Sequence, residues 1–361
     1  MSSTAQQLLG EGAYAKVYDN KNFALKISAL ENEDDLFAIV REQYILRMYL
    51  PNMVPYHSCY FKWDCMHITL EKATHNLNQW YRLQTSVSYE KIKDIACQIL
   101  HGVYCLHAQE VTHRDLKPDN ILLKGDAVWI CDFGLSRQFS FDYSAPTGYM
   151  VTRWYRAPEI WREEAYTKKV DMWSIGCIIH KLIHGRVPGK TLKEIQQRIL
   201  NLPNDSEMHT LVRGLLQLDP AKRWDAKRAL AFLGEHAVEV KKEAYTPQSV
   251  LFSAERKAWF ESFSTKFPKE HRVLAHALML FDTCDQTEKN MCCAMTIAGM
   301  LFRTRTCGIV NHAIDRLTRM GYPPMHTVAG FIPEVCNGPQ RLSEWETYTG
   351  TFESYIKKHL K

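Results

Sequence analysis

The stretch that decides the fold reads His-Arg-Asp-Leu-Lys-Pro-Asp-Asn at residues 113–120, and Asp-Phe-Gly follows at residues 132–134. These two segments place two acids in complementary positions. Asp115 can accept a proton from a hydroxyl group, and Asp132 can hold Mg²⁺ against the phosphates of ATP. Lys117 can steady a phosphoryl group in transfer, and Asn120 can hold a second metal ion. The pattern indicates a phosphoryl-transfer site rather than a polar surface loop.

Both segments resemble the catalytic loop and the metal-binding motif of eukaryotic-type protein kinases. The resemblance covers residues 5 to about 235 and implies an α+β, bilobal kinase fold, with a small β-rich lobe and a large helical lobe. It also implies ATP and Mg²⁺ as cofactors and proteins as substrates. Serine or threonine is the implied acceptor, because Lys117-Pro118 follows Asp115-Leu116. We expect the kinase domain to span residues 1–235.

The start of the chain supplies the implied ATP-binding elements. Gly10 and Gly12 stand in a stretch that resembles the glycine-rich loop, where the lack of a Cβ atom lets the backbone approach phosphates. Ala15 replaces the third glycine of the family pattern, and Val17 begins the covering strand. Lys26 lies in an alternating run, residues 23–27, that predicts a strand, and it is the candidate to grip the α- and β-phosphates.

Residues 32–50 predict an amphipathic helix that resembles the regulatory helix of cyclin-dependent kinases. Glu42 on this helix is expected to pair with Lys26 in the active enzyme. The run after residue 67 resembles the last small-lobe strand and the hinge. The resemblance implies that backbone groups of Glu71 and Ala73 bind the adenine edge and that Leu70 is the gatekeeper.

The activation segment carries Thr147-Gly148-Tyr149 and resembles that of mitogen-activated and cyclin-dependent kinases. We predict that an upstream kinase phosphorylates Thr147; Tyr149 is a second candidate that could instead simply pack. Arginine guanidiniums suit a phosphate group, which brings close to two negative charges. The predicted phosphate clamp consists of Arg41, Arg114 and Arg137. Trp154-Tyr155-Arg156 resembles the shelf of proline-directed kinases and implies a Ser-Pro or Thr-Pro preference.

Two further resemblances concern the support of the large lobe. Asp171 is implied to tie down the backbone of the catalytic loop, and Arg223 to form a buried pair with Glu159. Between Pro188 and Leu218 the chain is much shorter than in cyclin-dependent or mitogen-activated kinases. Any partner that docks on the missing insert is therefore in doubt.

The last third of the chain predicts a linker at residues 236–250 and an all-α domain at residues 251–361, with apolar residues at helical spacing. The number and spacing of its helices resemble a single cyclin box, with Arg256 and Trp259 carrying part of the likeness. Such a domain would be an intramolecular partner that activates the kinase in cis. Lys289 and Glu346 are loose candidates for the pair by which cyclins hold a kinase. A plain helical extension remains the alternative.

The amino-acid composition limits which other classes of protein fit this chain. The 361 residues are 46% hydrophobic and 24% charged, which is typical of a globular protein, and the net charge of +5 is mild. The eleven cysteines lack zinc-site spacing, so buried thiols are expected. With no leader before Leu8 and an apolar stretch of only residues 291–302, we expect no membrane partner and a cytoplasmic or nuclear location. The basic residues after Arg303 lack aromatic partners, so no nucleic-acid binding is expected.

Three functions therefore stay open at this point. The first is a Mg²⁺- and ATP-dependent serine/threonine kinase with a cyclin-like activator in cis. The second keeps the kinase but makes the C-terminal region a docking domain. The third is a nucleotide-sensing pseudokinase scaffold, which the presence of Lys26, Asp115 and Asp132 disfavours.

Overall fold

The computed structural model describes residues 7–12, 15–138, 153–204, 206–237, 288–301 and 308–336. Two compact units divide the chain. The first contains residues 1–49 and 55–71 together with the region from residue 241 onward, and the second contains residues 50–54 and 72–240. Within the described residues, no helix is both long enough and apolar enough to cross a membrane.

The first unit is built on a five-stranded antiparallel sheet with strand order β1-β2-β3-β5-β4. Its strands are β1 (Leu8–Glu11), β2 (Ala15–Asn20), β3 (Phe23–Ala29), β4 (Tyr56–Lys62) and β5 (Cys65–Glu71). In this register Val17 on β2 and Ile68 on β5 flank Lys26 on the central strand β3. The predicted strands at residues 23–27 and 67–70 are therefore present, each slightly longer than the motif that indicated it.

Helix α1 (Glu33–Leu46) follows the third strand and begins with a capping box. The backbone amides of Asp34 and Asp35 donate to the Asn32 side chain, and the Asp35 carboxylate accepts from the Asn32 amide. The helix is shorter than the predicted span of residues 32–50. It ends at Arg47, and Tyr49 then adopts a left-handed backbone with φ 48°.

Three described helices complete the first unit: α9 (Glu288–Leu301), α10 (Gly308–Arg319) and α11 (Pro324–Cys336). They pack against one another around small and apolar side chains such as Ala298, Leu317 and Phe331. Helix α11 also packs on β4 and on α1, and α9 packs on α1. Arg256, Trp259, Glu346 and the predicted linker at residues 236–250, apart from its first two residues, lie outside the described residues.

The second unit is mainly helical. Its helices are α2 (Leu77–Arg82), α3 (Tyr89–Ala108), α4 (Pro158–Trp161), α5 (Lys169–His184), α6 (Leu192–Leu200), α7 (Glu207–Leu215) and α8 (Ala226–Phe232). Its short strands are β6 (His75–Asn76), β7 (Val111–Thr112), β8 (Ile121–Lys124), β9 (Ala127–Ile130) and β10 (Arg137–Gln138). Strands β6, β8 and β9 form one small sheet, and β7 pairs with β10.

Helix α5 is the centre of this unit, because nearly all of it is buried, including Asp171 and Trp173. A helix that is apolar around its whole circumference belongs in a core. Gly176 allows the close approach, since a Cβ atom there would lie 2.7 Å from Leu216 Cδ2. The catalytic-loop segment, residues 113–120, directly precedes strand β8 in this unit.

Candidate active site

In the first unit, Lys26 and Glu42 form an ion pair. Lys26 Nζ donates to Glu42 Oε1 over 2.6 Å, and both side chains are buried. Strand β3 supplies the lysine and helix α1 supplies the glutamate, so formation of the pair depends on the position of α1 against the sheet. The pairing expected from the sequence is thus present, and it fixes the position of the lysine side chain on β3.

The β1–β2 hairpin carries Gly10 and Gly12. The Gly12 amide donates to Ala15 O over 2.8 Å, which closes the tip, and Gly10 pairs with Val17 after an irregularity in the register. No atom lies within 4 Å of the place where a Cβ of Gly10 would stand. The two glycines therefore present backbone without a side chain, which is what the close approach of a phosphate requires. Val17 pairs with Lys26 in the register of β2 and β3.

The predicted hinge residues fall at the end of β5 and just beyond it. The Glu71 amide donates to Pro55 O over 2.8 Å, and its carboxylate lies 2.9 Å from His57 Nε2. Any contact of Glu71 with an adenine would thus fall to its carbonyl group. Leu70 is buried in the first unit, and Ala73 belongs to the second unit.

In the second unit, Asp115, Lys117 and Asn120 come together. Lys117 Nζ lies 2.6 Å from Asp115 Oδ2, and Asn120 Nδ2 donates to the same oxygen over 3.1 Å and to Asp115 O over 2.8 Å. These contacts fix the Asp115 carboxylate through Oδ2. They also use the amide nitrogen of Asn120, so its carbonyl oxygen remains the atom with ligand character.

Asp171 on α5 holds the backbone of this loop. Its carboxylate accepts from the amides of His113 and Arg114, both over 2.8 Å, and lies 2.9 Å from His107 Nε2. Burial alone would raise the pKa of Asp171. The hydrogen bond and charge of His107, the charge of His113 and the Arg114 amide outweigh burial and hold the pKa below its ordinary value. The expected tie between Asp171 and the loop is confirmed.

His107 was not singled out from the sequence, although it contacts Asp171 directly. It lies in the last turn of α3, and Lys168 Nζ donates to its carbonyl over 2.8 Å. A histidine in an otherwise apolar helix end gives no local sign of a buried carboxylate 64 residues away. The signal that could have found it is its place just before the catalytic-loop segment.

Asp132 lies beyond β9 with a left-handed backbone, φ 66°, and an exposed side chain. Next to it, Phe133 is buried and lies edge-to-face against the His113 ring with centroids 5.3 Å apart. His113 Nε2 lies 3.0 Å from Cys131 O, which joins the segment to the catalytic loop. The strained backbone presents the carboxylate outward while Phe133 anchors the turn.

These residues fit Mg²⁺ by the chemistry of their donors. Magnesium prefers oxygen ligands and is usually bound through one or two carboxylates together with substrate phosphates. The exposed Asp132 carboxylate and the amide oxygen of Asn120 are of that kind. Among the described residues, no cluster of three or more His, Cys, Asp or Glu side chains offers an all-protein metal cage.

The predicted phosphate clamp is only partly described. Arg41 Nε donates to Phe37 O over 3.0 Å on α1. Arg114 has a left-handed backbone, φ 73°, donates through Nη1 to Leu135 O over 3.3 Å, and lies over the Tyr166 ring. The side chain of Arg137, together with Thr147, Tyr149 and Thr152, lies outside the described residues. The clamp therefore stays a prediction.

The other predicted support of the site is the pair of Glu159 and Arg223. Arg223 Nη1 and Nη2 donate to the two carboxylate oxygens of Glu159 over 2.6 and 3.0 Å, and both side chains are buried. This bidentate geometry confirms the expected buried pair. It links the short helix α4, next to the activation segment, to the segment that leads into α8.

Comparison with known proteins shows which protein family the chain belongs to. The family model described as "Protein kinase domain" matches residues 3–232, which is more than half of the chain. This chain belongs to the protein kinase family. The match includes every predicted catalytic, nucleotide and metal residue named above, and it ends before the C-terminal helices.

Individual relatives place the chain within that family. It is 34% identical over 196 residues to cyclin-dependent kinase 4 homolog of Caenorhabditis elegans, covering 49% of this chain and 48% of the relative. It is 36% identical over 217 residues to cell division control protein 2 homolog 3 of Trypanosoma brucei brucei, covering 55% and 70%. It is 35% identical over 221 residues to mitogen-activated protein kinase 15 of C. elegans, covering 54% and 47%. The chain thus spans about half the length of two of these three relatives.

Proposed function

We propose that this chain is a Mg²⁺- and ATP-dependent protein serine/threonine kinase of the cyclin-dependent and mitogen-activated type. The observation that carries the proposal is the joining of Asp115, Lys117 and Asn120 through one carboxylate oxygen. The arrangement holds a base at a fixed position and places an ammonium group beside it. A site that transfers a phosphoryl group depends on such positioning and charge compensation more than on covalent chemistry.

The roles of the residues follow from their chemistry. Asp115 accepts the proton of the substrate hydroxyl, and Lys117 compensates charge on the phosphoryl group. Lys26, held by Glu42, would grip the nucleotide phosphates, and the backbone of Gly10 and Gly12 would lie over them. Asp132 and Asn120 would hold Mg²⁺, which when bound neutralises phosphate charge. The preference for serine or threonine followed by proline rests on the resemblance of residues 117–118 and 154–156 to those of relatives.

Phosphate transfer from radiolabelled ATP to Ser-Pro-containing peptides by the full chain tests the proposal. We expect Asp115→Asn to lower turnover by at least about a hundredfold, the usual effect of losing a proton-transfer group. Lys26→Met should lower turnover as well, because it removes the cation proposed to hold the nucleotide phosphates. Asp119→Asn is the matched control. Asp119 stands in the same loop but is exposed and bonded to Asn78 Nδ2 over 3.2 Å. Full turnover in Asp115→Asn would contradict the assignment of the base, whereas no turnover in the wild-type chain would favour a nucleotide-sensing scaffold.

Regulation by phosphate is a second part of the proposal. Phosphorylation of Thr147 would bring a dianion to the guanidiniums of Arg41, Arg114 and Arg137 and order the activation segment. The test compares the wild-type chain, phosphorylated at Thr147 as established by mass spectrometry, with Thr147→Ala. We expect a loss of activity in the variant, and a Tyr149→Phe variant separates the two phosphorylation sites. Unchanged activity in Thr147→Ala would contradict the switch.

The C-terminal helices supply the third part, activation in cis. Helix α1 is buried on all sides, from Leu36 through Leu46, with only Ala38 and Arg41 partly exposed. One side of α1 covers the sheet, and α9 and α11 also pack on α1. Because Glu42 sits on α1, any element that holds α1 in place also holds the ion pair with Lys26. This packing supports an intramolecular activator over a plain extension.

Contacts of α11 with β4 and with the turn that follows it support the same interpretation. The His326 ring of α11 lies edge-to-face with Phe61 of β4, with centroids 6.5 Å apart, and His326 Nε2 lies 3.4 Å from Asp64 Oδ1. Lys289, a candidate for the cyclin-type pair, instead lies over the Tyr322 ring at 5.3 Å. A docking domain for substrates is the alternative function of these helices. It predicts that removing them changes KM without lowering kcat.

A further inference from the structure

A cleft in the second unit has the chemistry of a binding site and contains none of the residues assigned to catalysis. It lies beside the end of α5 and along α6, and its volume is about 410 Å³. Most of its polar lining consists of nitrogen-bearing side chains: His180, His184, Arg186, Gln197, Arg198 and Asn201. A volume of this size is in the range of small-ligand pockets.

His180 forms part of the wall and carries an unsatisfied polar atom. The side chain is 1% exposed, its Nδ1 lies 2.8 Å from Arg186 O, and its Nε2 has no hydrogen-bond partner among the described residues. A carbonyl oxygen can only accept, so Nδ1 carries the proton and Nε2 is an acceptor. Burial lowers the pKa of His180 to about 4, which keeps the ring neutral at physiological pH. Because Nε2 is itself buried, a ligand in the cleft meets the arginines rather than this nitrogen.

Most hydrogen-bonding groups of the lining that remain unused are donors. Backbone oxygens at the wall already accept bonds: Val187 O from Arg198 Nη1, and Leu202 O from Arg213 Nη2. Glu194, the acid in the lining, accepts from the Lys190 amide over 3.0 Å.

The two lining arginines keep free capacity. Arg186 makes no hydrogen bond or ion pair through its side chain with any other residue that the structure describes. Arg198 uses Nη1 for Val187 O and keeps its other N–H groups. Planar guanidinium groups bind phosphate oxygens in a forked geometry, two N–H groups to two oxygens. The free N–H groups of the two arginines therefore favour an anionic ligand in the cleft.

We propose that this cleft binds the phosphate group of a phosphorylated serine or threonine in a protein segment. A phosphate monoester carries close to two negative charges near neutral pH, and its oxygens can accept from the N–H groups of Arg186 and Arg198. A nucleic-acid phosphodiester and an ionised carboxylate carry only one negative charge each. The exposed positions of Arg186, Gln197 and Asn201 admit a side chain that remains attached to a peptide.

The consequence for function rests on the proposed kinase activity. A serine/threonine kinase that holds a phosphorylated segment in its large lobe would favour substrates that already carry one phosphate. The binding step itself does not depend on turnover. An experiment without ATP therefore separates a failure of this inference from a failure of the proposed function.

The experiment measures the affinity of the full chain for fluorescein-labelled peptides by anisotropy, in phosphate-free buffer. The probes are a peptide pool with a central phosphoserine between randomised residues and the same pool with serine; inorganic phosphate serves as competitor. We expect the phosphorylated pool to bind at least tenfold more tightly. Arg186→Gln and Arg198→Gln should each weaken it by about tenfold, the usual effect of losing a charged hydrogen bond.

Lys193→Gln is the matched control, because it removes the same charge from an exposed position on α6 outside the cleft lining. It should leave the affinity unchanged. Equal binding of the two pools would overturn the proposal, as would equal weakening by all three variants, which would indicate non-specific attraction. If inorganic phosphate competes at the concentration at which the phosphorylated pool binds, the cleft holds a free anion and the proposed peptide ligand is wrong.

Discussion

At the scale of single residues, the most constrained side chain is Arg223. It donates to both oxygens of Glu159, to Lys169 O over 2.9 Å and to Gln217 O over 3.0 Å, and it lies over the Trp173 ring. Removing one partner of a buried pair leaves an uncompensated charge in the core. We expect Arg223→Met to lower the free energy of unfolding by about 3–5 kcal/mol, measured by urea unfolding of the full chain.

An exposed pair provides the comparison for Arg223. Arg162 Nη1 lies 3.8 Å from Glu164 Oε2, with about half of each side chain exposed. Arg162→Met removes the same charge where water screens it, so its effect should stay below about 1 kcal/mol. If the two variants lose the same amount of stability, the buried pair is not the support inferred for helix α4.

The buried His180 predicts a dependence of stability on pH. Its pKa falls from an ordinary value of 6.5 to about 4, chiefly through burial, and also through the charges of His184, Arg198 and Arg186. Below pH 6.5 the unfolded chain therefore binds a proton that the folded chain does not, and stability falls as the pH drops toward 4. From pH 7 to pH 5 the loss is about 2 kcal/mol.

Urea midpoints at pH 7 and pH 5, in phosphate-free buffer, measure this effect. His180→Phe should reduce the difference between the two pH values, whatever it does to stability at pH 7. His101→Phe, which makes the same replacement at a histidine of α3 outside the cleft, is the matched control. An unchanged difference in His180→Phe would show that other groups cause the acid instability.

At the scale of elements, the sequence predicted those whose signals are local. Strands β3 and β5 and the loop of Asp115 carry recognisable residues at fixed spacing, and Asn32 and Asp35 form a capping box that gives the start of α1. The end of α1 was predicted too late. Pro51 permits a helix up to residue 50, and the left-handed residue at the earlier stop is Tyr49 rather than a glycine, so no glycine marks that stop in the sequence.

The contact of α11 with β4 could not be predicted, because residues far apart in the chain create it. Gly330 lies at this contact, where a Cβ atom would stand 3.9 Å from Phe61 Cδ1. Gly330→Ala should therefore fit at an ordinary contact distance, and Gly330→Trp should force α11 away from the strand. We expect Gly330→Trp to lower kinase turnover by at least about tenfold and Gly330→Ala to leave it unchanged.

The reason lies in the path from α11 to the active site. Helix α11 packs on both β4 and α1, and α1 carries Glu42, the partner of Lys26. Radiolabelled-ATP turnover at saturating ATP, with circular dichroism to confirm that both variants fold, separates the outcomes. Equal turnover in Gly330→Trp and Gly330→Ala would mean that the contact does not control the ion pair, which favours the docking alternative.

At the scale of the whole molecule, one division between the compact units falls at residues 240 and 241, close to the expected end of the kinase domain, and another falls inside that domain at residues 71 and 72. The small-lobe sheet and the described C-terminal helices belong to one unit, and the helical lobe forms the other. The family match over residues 3–232 spans parts of both units. Sequence patterns gave the periodicity of the C-terminal helices but no partner for their apolar faces. Their partner is α1 and β4, and only tertiary structure identifies it.

Truncation tests this arrangement for the molecule as a whole. A chain of residues 1–240 loses the helices that cover α1, so apolar surface becomes exposed and the Lys26–Glu42 pair loses its support. We expect turnover to fall by at least about tenfold and the binding of a hydrophobic dye to rise. Residues 245–361 added in trans should restore activity only at high concentration, because the tether supplies an effective concentration in the millimolar range. Equal activity in the full and truncated chains would instead identify the C-terminal helices as a docking domain. Inactivity of both would indicate a missing phosphate or partner, or a scaffold.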